Sequence, residues 1–238
     1  HCIAICPSGA LSVDGNLPME CEKCNDSDKM LLILRSRRSM RRYKDKEVAD
    51  EDIKKLVEFG RFAPTGSNRE GNEFLFVKSK DKRKQLTDEL MKFYIKLYKI
   101  VSFFIIKWIL LIILPTKKAL FYLNSLRGMI KRYKDGRDPL FFNAPVIAFV
   151  YSKKFASSTP KDDACYALYN VVIGAESMKL STCINQLAVI AFNRRKRKVK
   201  KILGLTKKEN IYACTTIGYP DFDYKRTVFR KEGSIKII

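Results

Sequence analysis

Three short apolar segments, separated by stretches with helical periodicity, constrain the fold of this chain more than any other feature. Residues 73–77 and 144–150 are runs of apolar and aromatic side chains typical of buried strands, and a third run at 212–217 ends at a Gly-Tyr-Pro turn. Amphipathic helices are predicted at 80–99 and 161–180. Because these elements do not alternate as regular βαβ units, the sequence predicts an α+β fold rather than a doubly wound sheet.

The beginning of the chain differs in composition from the rest. Residues 1–29 are rich in cysteine and turn-forming residues and have no helical period, whereas a helical pattern begins at Met30. We therefore predict a short N-terminal module with its linker at 1–29 and one larger domain at 30–238. In that domain Asp50 is the predicted N-cap of a helix that ends near Gly60.

An almost wholly apolar stretch runs from Ile100 to Leu114, interrupted by Lys107 and followed by Pro115. It is shorter than the roughly 20 residues that a membrane-spanning helix needs. We favour a buried or interface helix that caps a cofactor or a dimer, and a membrane-surface element is the alternative.

The formal net charge of +22 attracts anions such as nucleic acid, acidic lipid or phosphorylated cofactors. The densest basic run is 194–201, with seven Lys or Arg residues in eight positions. No recognised nucleic-acid motif accompanies this run, so we interpret it as a solvated helix face and expect no specific nucleic-acid partner. A basic protein that binds nucleic acid or anionic surfaces, without enzymatic activity, is the alternative function.

Seven cysteines without framework spacing argue against a secreted disulfide scaffold. Cys2-x3-Cys6-Pro7 resembles the end of the bacterial ferredoxin motif, whose cysteines hold four-iron clusters. We interpret it as the remnant of a truncated ferredoxin module, in which Cys2 and Cys6 are 4Fe-4S ligands in the intact parent only. Cys21-x2-Cys24 alone is weak evidence of a metal site.

Two polar constellations carry binding chemistry. Ser36-Arg-Arg-Ser-Met-Arg-Arg-Tyr43 concentrates guanidinium groups and hydroxyls, which suit a phosphate monoester. Ala63-Pro-Thr-Gly-Ser-Asn68, followed by a strand, combines a glycine that permits close backbone approach with neutral hydrogen-bonding side chains. Taken singly, the first is more often a solvated helix end and the second an ordinary turn.

In this order and spacing, the two constellations resemble the nitroreductase family. Its pattern R-R-S-x-R-x-F/Y, then A-P-S/T-x-x-N-x-Q about 20 residues on, is matched from Arg37 and from Ala63. Further matches are the Ala144-Pro145 strand entry, Leu180-Ser-Thr-Cys183, and Gly218-Tyr-Pro220 with Arg230. The resemblance covers about residues 31–238, and a ferredoxin module before such a domain is a known family arrangement.

The resemblance implies an intertwined homodimer with a central, mostly antiparallel sheet flanked by helices and FMN at the subunit interface. Arg37, Ser39 and Arg41 are expected at the FMN phosphate and ribityl chain, Arg38 through its backbone and Arg230 from near the C-terminus. Asn68 is expected to contact the flavin ring from the partner subunit. The other implied cofactor-binding residues are Ser67, Glu70, Ser181 and Thr182.

The chain departs from the family pattern at four positions. Glu70 stands where glutamine is usual, and a carboxylate near the flavin should lower its potential or weaken binding. Ser181, Asn185 and Asn143 replace family glycines, which alters the expected close backbone approach at 181 and 185.

The implied function is an FMN-dependent oxidoreductase that passes electrons from NAD(P)H or reduced ferredoxin to a nitroaromatic, quinone or similar small acceptor. NAD(P)H is thus a candidate co-substrate. No catalytic acid or base is assigned, since the only histidine is His1 and no Ser/His/Asp set is present. The chain opens without a secretory pattern, so we expect a cytoplasmic protein and no membrane partner.

Overall fold

Four antiparallel strands form the central sheet, in the spatial order β1-β2-β4-β3. They are β1 (Glu73–Val77), β2 (Val146–Lys153), β3 (Ser181–Ile184) and β4 (Glu209–Gly218). The computed structural model describes residues 26–103 and 116–238, together with Ala10 and Ser12. The chain divides into two units, His1–Leu32 and Ile33–Ile238, and the sheet belongs to the second.

The described residues also form seven α-helices, as expected of an α+β fold. They are α1 (Ser27–Ser36), α2 (Asp50–Arg61), α3 (Lys80–Val101), α4 (Thr116–Lys134), α5 (Pro160–Ser177), α6 (Gln186–Arg194) and α7 (Lys196–Leu203), with a 3₁₀ turn at Gly66–Asn68.

The predicted strand at 73–77 is confirmed to the residue, and the other two predicted strands are found with slightly different bounds. The predicted N-cap is wrong by one position, because Ala49 is the N-cap of α2 and Asp50 is its first helical residue. A carboxylate there still stabilises the helix through the helix dipole. The predicted apolar helix at 100–114 falls mostly outside the described residues, and Ile100 is an exposed residue of α3.

Both faces of the sheet are covered, which explains why β2 is a continuous apolar run. Ile147 and Phe149 face a core shared with α3, α4, α6 and α7, and the Phe149 ring meets Phe192 edge to face at 5.0 Å. Val146 and Ala148 face the opposite side, where α2 and α5 pack. Alternate residues of a strand point to opposite faces, so burial on both sides removes the polar positions.

Helices α2 and α5, which cover this second face of the sheet, are in close contact with each other. Gly174 of α5 lies against the Phe59 ring of α2, and an added Cβ atom there would come within 2.5 Å of that ring. A larger residue at 174 would therefore push the two helices apart.

Candidate functional site

An extended segment that follows α1 is bonded to the edges of β3 and β4. The Met40 amide donates to the Thr182 carbonyl at 2.9 Å, and Ser39 forms a parallel bridge with Thr182. The Lys44 amide donates to the Tyr219 carbonyl at 2.9 Å. Main-chain bonds at both ends hold the arginine-rich motif beside the end of the sheet, although it belongs to no named strand.

Tyr43, the last residue of the arginine motif, holds the extended segment through the hydrogen bonds of its side chain. Its hydroxyl donates to the Met40 carbonyl at 2.8 Å and shares a hydrogen bond with the Thr216 hydroxyl at 2.7 Å. Burial raises the pKa of Tyr43 well above its usual value, so the phenol stays protonated at all ordinary pH values. The tyrosine is therefore a structural residue of the motif.

The three side chains predicted at the phosphate lie near the buried thiol of Cys183 on β3. Burial raises the pKa of this thiol, and the Arg41 charge, a hydrogen bond with Ser39 and the Arg37 charge act in the opposite direction. All three groups therefore lie near one sulfur, and their binding of a phosphate stays a prediction. We call these three residues and Arg38 the arginine cluster.

Two nitrogen atoms of the arginine cluster are buried without a hydrogen-bond partner among the described residues: the Nε atoms of Arg37 and Arg38. Unpaired buried donors destabilise a protein, so such atoms call for an acceptor. A phosphate dianion offers oxygen acceptors and opposite charge together. The donor set therefore fits the phosphate that the resemblance implies.

The Arg38 guanidinium is also directed back onto the main chain. One of its terminal nitrogens donates to the Arg35 carbonyl at 2.7 Å and to the Arg37 carbonyl at 2.8 Å. These two bonds hold the Arg38 side chain against its own main chain, and the expected contact of its backbone with the cofactor stays a prediction.

Arg41 lies against a strained loop that precedes β2. Its guanidinium stands 5.8 Å from the centre of the Phe142 ring, in cation–π geometry. Phe142 and Asn143 have positive φ angles of 57° and 52°. The Asp138 carboxylate holds the loop by accepting the Phe141 amide at 2.9 Å, and burial raises the pKa of this carboxyl despite such bonds.

The second constellation forms an exposed loop with three left-handed residues. Ser67, Asn68 and Glu70 have φ angles of 55°, 50° and 49°, and all three side chains are exposed. The Asn68 amide donates to a Glu70 carboxylate oxygen at 3.2 Å, and the Glu70 amide donates to the Thr65 hydroxyl at 3.0 Å. A cleft of about 190 Å³ adjoins the loop, lined by Gly60, Arg61, Ala63, Thr65, Glu70, Asn72 and Phe74.

Asp163, in the first turn of α5, anchors this loop. Its buried carboxylate accepts the Gly66 amide at 3.0 Å and the Thr159 hydroxyl at 3.1 Å, and its carbonyl accepts the Asn72 amide at 3.1 Å. The Ser157 hydroxyl also donates to the Asp163 carboxylate. The left-handed residues are thus held by α5 rather than by their own preferences.

The described residues do not bring all predicted site residues together in one subunit. No hydrogen bond or ion pair within ranges 26–103 and 116–238 joins the loop at 63–72 to the arginine cluster, or joins Arg230 to either. Arg230 lies exposed in the segment after β4, which contains no helix or strand. Ser181 and Thr182, by contrast, lie on β3 directly beside Ser39.

Two of the substituted glycine positions have structural explanations. The buried Asn185 caps α6, since its side-chain oxygen accepts the Ala188 amide at 2.9 Å, and its amide donates to the Leu140 carbonyl at 2.5 Å. Asn143 adopts the left-handed conformation in which glycine is usual and asparagine is tolerated. Only Ser181 of these substitutions lies next to the arginine cluster.

The predicted cluster ligands Cys2 and Cys6 lie outside the described residues. Within the ranges that are described, no group of three or more His, Cys, Asp or Glu side chains could hold a metal ion. Nor does any helix of those ranges have the length and hydropathy to cross a membrane.

The basic run at 194–201 lies at the end of α6 and along α7, as a mostly solvated face. Val199 is buried, whereas Lys196, Arg197 and Lys198 are exposed. Arg195 is bound to the buried Glu89 of α3. The run is therefore a solvated helix face with one structural ion pair.

Sequence reasoning missed Cys183 beneath the arginine cluster, Phe142 against Arg41, and Asp163 as the anchor of the loop. Only Asp163 had a signal, because it lies at the predicted start of a long helix next to a glycine-containing loop. The other two are brought to the site by the sheet and by a strained loop, neither of which leaves a pattern in the sequence.

The nitroreductase family model matches residues 34–219. The chain therefore belongs to the nitroreductase family, and the enzyme class expected from the sequence, an FMN-dependent oxidoreductase, agrees with that family. The matched range includes the arginine cluster, the loop at 63–72 and all four strands.

Known proteins agree with this assignment. A protein of Archaeoglobus fulgidus, provisionally named NADH dehydrogenase/NAD(P)H nitroreductase, is 30% identical over 61 residues, which are 26% of this chain and 35% of that protein. A nitroreductase of Bacteroides fragilis, solved with bound FMN, superposes with a TM-score of 0.68 at 19% identity over 89% of this chain and 100% of its own. A nitroreductase of Desulfitobacterium hafniense with bound FMN gives 0.67 at 17% identity, over 89% and 98%.

Proposed function

We propose that this chain is an FMN-dependent oxidoreductase that transfers electrons from NAD(P)H or reduced ferredoxin to a small acceptor such as a nitroaromatic or a quinone. The observation that carries the proposal is the arginine cluster, with its buried and unpaired Nε atoms beside β3. Solved relatives with the same fold contain FMN. When bound, FMN supplies the two-electron carrier between donor and acceptor.

The roles of the protein's own residues follow from their chemistry. Arg37 and Arg41 neutralise the phosphate, Ser39 donates a neutral hydrogen bond to it, and the Thr182 backbone keeps these groups in register with β3. Asn68 offers a neutral amide to the flavin ring. Arg230 adds a further cation to the phosphate from the C-terminal segment.

A homodimer is part of this proposal, because the loop at 63–72 is exposed and separate from the arginine cluster of its own subunit. Helix α5 supports it: one face is buried on the sheet, whereas Cys165, Tyr166 and Tyr169 on the other are exposed. A helix that is apolar on both sides normally has a second partner. A second copy would cover this face and supply Asn68 to the neighbouring flavin.

Binding of FMN by the arginine cluster is tested by titration of the apoprotein. Arg37→Ala removes a charged hydrogen-bond donor worth about 1.5–3 kcal/mol, so FMN affinity should fall about tenfold to a hundredfold. Arg127→Ala, an exposed change on α4, is the control and should leave the affinity unchanged. A protein that cannot be reconstituted with FMN would contradict the proposed function.

The electron donor is identified by anaerobic titration of the FMN-loaded protein with NADH, NADPH and reduced ferredoxin, followed by flavin absorbance. Bleaching by reduced ferredoxin and not by the nucleotides would support a ferredoxin donor, which the Cys2-x3-Cys6-Pro7 motif favours. Bleaching by a nucleotide would identify NAD(P)H as the co-substrate.

A further inference from the structure

Helices α3 and α4 extend beyond the hydrophobic core as a pair. The last fully buried side chain of α3 is Tyr94, and Tyr98 still packs against the core; the helix continues to Val101, about 5 Å beyond Tyr98 at 1.5 Å per residue. Helix α4 begins at Thr116, and its first side chain described as packing against the core is Leu126, about 15 Å further on. The two helices pack against each other. We call residues 95–103 and 116–128 the arm.

The end of the arm carries exposed apolar and aromatic side chains. On α3 and just beyond it, Ile100 and Phe103 are 45% and 60% exposed; on α4, Phe121 and Tyr122 are 67% and 60% exposed. Exposed apolar patches of this kind mark interaction surfaces.

The charge of this region has one sign only. From Leu90 to Lys134 the sequence contains ten lysine and arginine residues and neither aspartate nor glutamate. Lys96 and Lys99 are exposed on the arm itself, next to its apolar end. The arm therefore combines an apolar end with a purely cationic collar.

We propose that the arm docks on an anionic lipid surface as a peripheral element. Apolar and aromatic side chains enter the interface between headgroups and acyl chains, while lysines bind anionic headgroups. A nucleic acid would leave the apolar end uncovered, whereas an anionic lipid surface accommodates the apolar end and the lysines together. The exposed apolar side chains and the lysines of the described arm therefore favour a lipid surface, in contrast to the expectation that the protein has no membrane partner.

Co-sedimentation of the FMN-loaded full chain with lipid vesicles tests this proposal. Vesicles of phosphatidylcholine with about 30% phosphatidylserine should bind the protein at least about tenfold more tightly than pure phosphatidylcholine vesicles. The anionic binding should weaken as salt rises above about 0.15 M, because screening reaches the headgroup contacts.

Two double variants separate the charge of the arm from its apolar end. Lys96→Glu/Lys99→Glu should lower binding to anionic vesicles at least about tenfold; its control, Lys198→Glu/Lys201→Glu on α7, changes the net charge equally and should have a small effect. Phe103→Ser/Phe121→Ser should lower binding about tenfold. Its control, Phe155→Ser/Phe229→Ser, removes two rings elsewhere that are even more exposed and should bind normally.

Three outcomes would overturn the proposal. The first is no binding, or equal binding to neutral and anionic vesicles. The second is an equal loss of vesicle binding in Lys198→Glu/Lys201→Glu, which would attribute the binding to the net charge of the protein rather than to the arm. The third is light scattering in which Phe103→Ser/Phe121→Ser dissociates an assembly of the chain without lipid, because the arm would then bind a second copy. An unchanged melting temperature in each variant excludes misfolding, and the same binding series is measured without FMN, so the result does not depend on the proposed function.

Discussion

Glu70 is the residue whose charge bears most directly on redox chemistry. It stands in the loop that should face the flavin ring, is exposed, and accepts a hydrogen bond of 3.2 Å from Asn68. The bond places its negative charge next to the side chain that is expected to contact the ring. A carboxylate there disfavours the added negative charge of a reduced flavin.

Glu70→Gln should therefore raise the flavin midpoint potential of the reconstituted protein by about 20–40 mV, which is about 1–2 kcal/mol for a two-electron couple. Spectroelectrochemical titration measures this value. Glu51→Gln on the exposed face of α2 removes the same charge elsewhere and should change the potential little. An unchanged or lower potential in Glu70→Gln would mean that the carboxylate does not face the ring.

Lys179 has a backbone conformation that is unfavourable for a residue with a Cβ atom. It follows α5 with a φ angle of 59°, and the Leu180 amide closes a Schellman motif by donating to the Ala175 carbonyl at 2.9 Å. Glycine adopts this left-handed conformation without the clash that a Cβ atom introduces.

Lys179→Gly should stabilise the protein by about 1 kcal/mol and raise the melting temperature by about 2–4 °C. Thermal unfolding followed by circular dichroism checks this. The same substitution at Lys198, inside α7, should lower stability by about 1 kcal/mol, since glycine weakens a helix interior. A lower melting temperature for Lys179→Gly would show that the lysine side chain makes a compensating contact.

The residues that suit a phosphate could be predicted from the sequence because one short motif contains the charged and hydrogen-bonding groups. Arg37, Ser39 and Arg41 are such residues, because an extended segment places alternate side chains on one side. The sequence did not predict that Cys183 lies beneath them, since this depends on the pairing of Ser39 with Thr182 across about 140 residues. A pairing between residues so far apart in the chain leaves no periodic pattern in the sequence around either residue.

Among the elements, α3 is joined by an ion pair to Arg195, the residue between α6 and α7. Glu89 on α3 is 5% exposed, accepts the Arg195 Nε–H at 2.8 Å and forms a salt bridge of 3.1 Å with Lys92. Burial acts to raise the pKa of Glu89, and the two cations outweigh it, so the pKa is lowered. A carboxyl whose folded-state pKa is lowered stabilises the fold above its unfolded-state pKa of about 4.3, and this contribution is lost as pH falls through the folded-state pKa.

Glu89→Gln should accordingly cost about 2 kcal/mol at pH 7, because it leaves the half-buried Arg195 without its counter-charge. The penalty should shrink as the pH falls below about 4.3 and through the lower folded-state pKa, because the wild-type carboxyl of the folded protein then also becomes neutral. Urea unfolding at a series of pH values measures both effects. Glu58→Gln, at an exposed position of α2, should show neither; a cost that stays the same at every pH of the series would contradict the ionic explanation.

Long elements were predictable and short ones were not. Helices α3 and α5 and strand β1 have enough periodic or apolar positions to identify them. Strand β3 has only four residues, of which two are buried, so no local pattern distinguishes it from a loop. It is nevertheless the strand against which the arginine cluster is built.

For the whole molecule, the proposed homodimer makes a direct prediction at the exposed face of α5. Tyr166→Glu places a charge where a second copy is expected, so the protein should become monomeric and bind FMN much more weakly, because the partner no longer supplies Asn68. Size-exclusion chromatography with light scattering measures the mass. Tyr122→Glu, at an exposed tyrosine of α4, is the control and should leave the mass unchanged. A Tyr166→Glu dimer with normal FMN affinity would contradict this assignment of the interface.

The sequence by itself determined the fold class, the family resemblance and the residues that suit a phosphate, because these depend on local periodicity and on side-chain chemistry. The tertiary structure alone decided that the arginine cluster lies on β3 above Cys183, that Asp163 holds the loop of Asn68 and Glu70, and that α3 and α4 extend past the core. The physical reason is the same for each of these findings. They arise from contacts between residues that are far apart in the chain, and such contacts are selected by the packing of the whole domain.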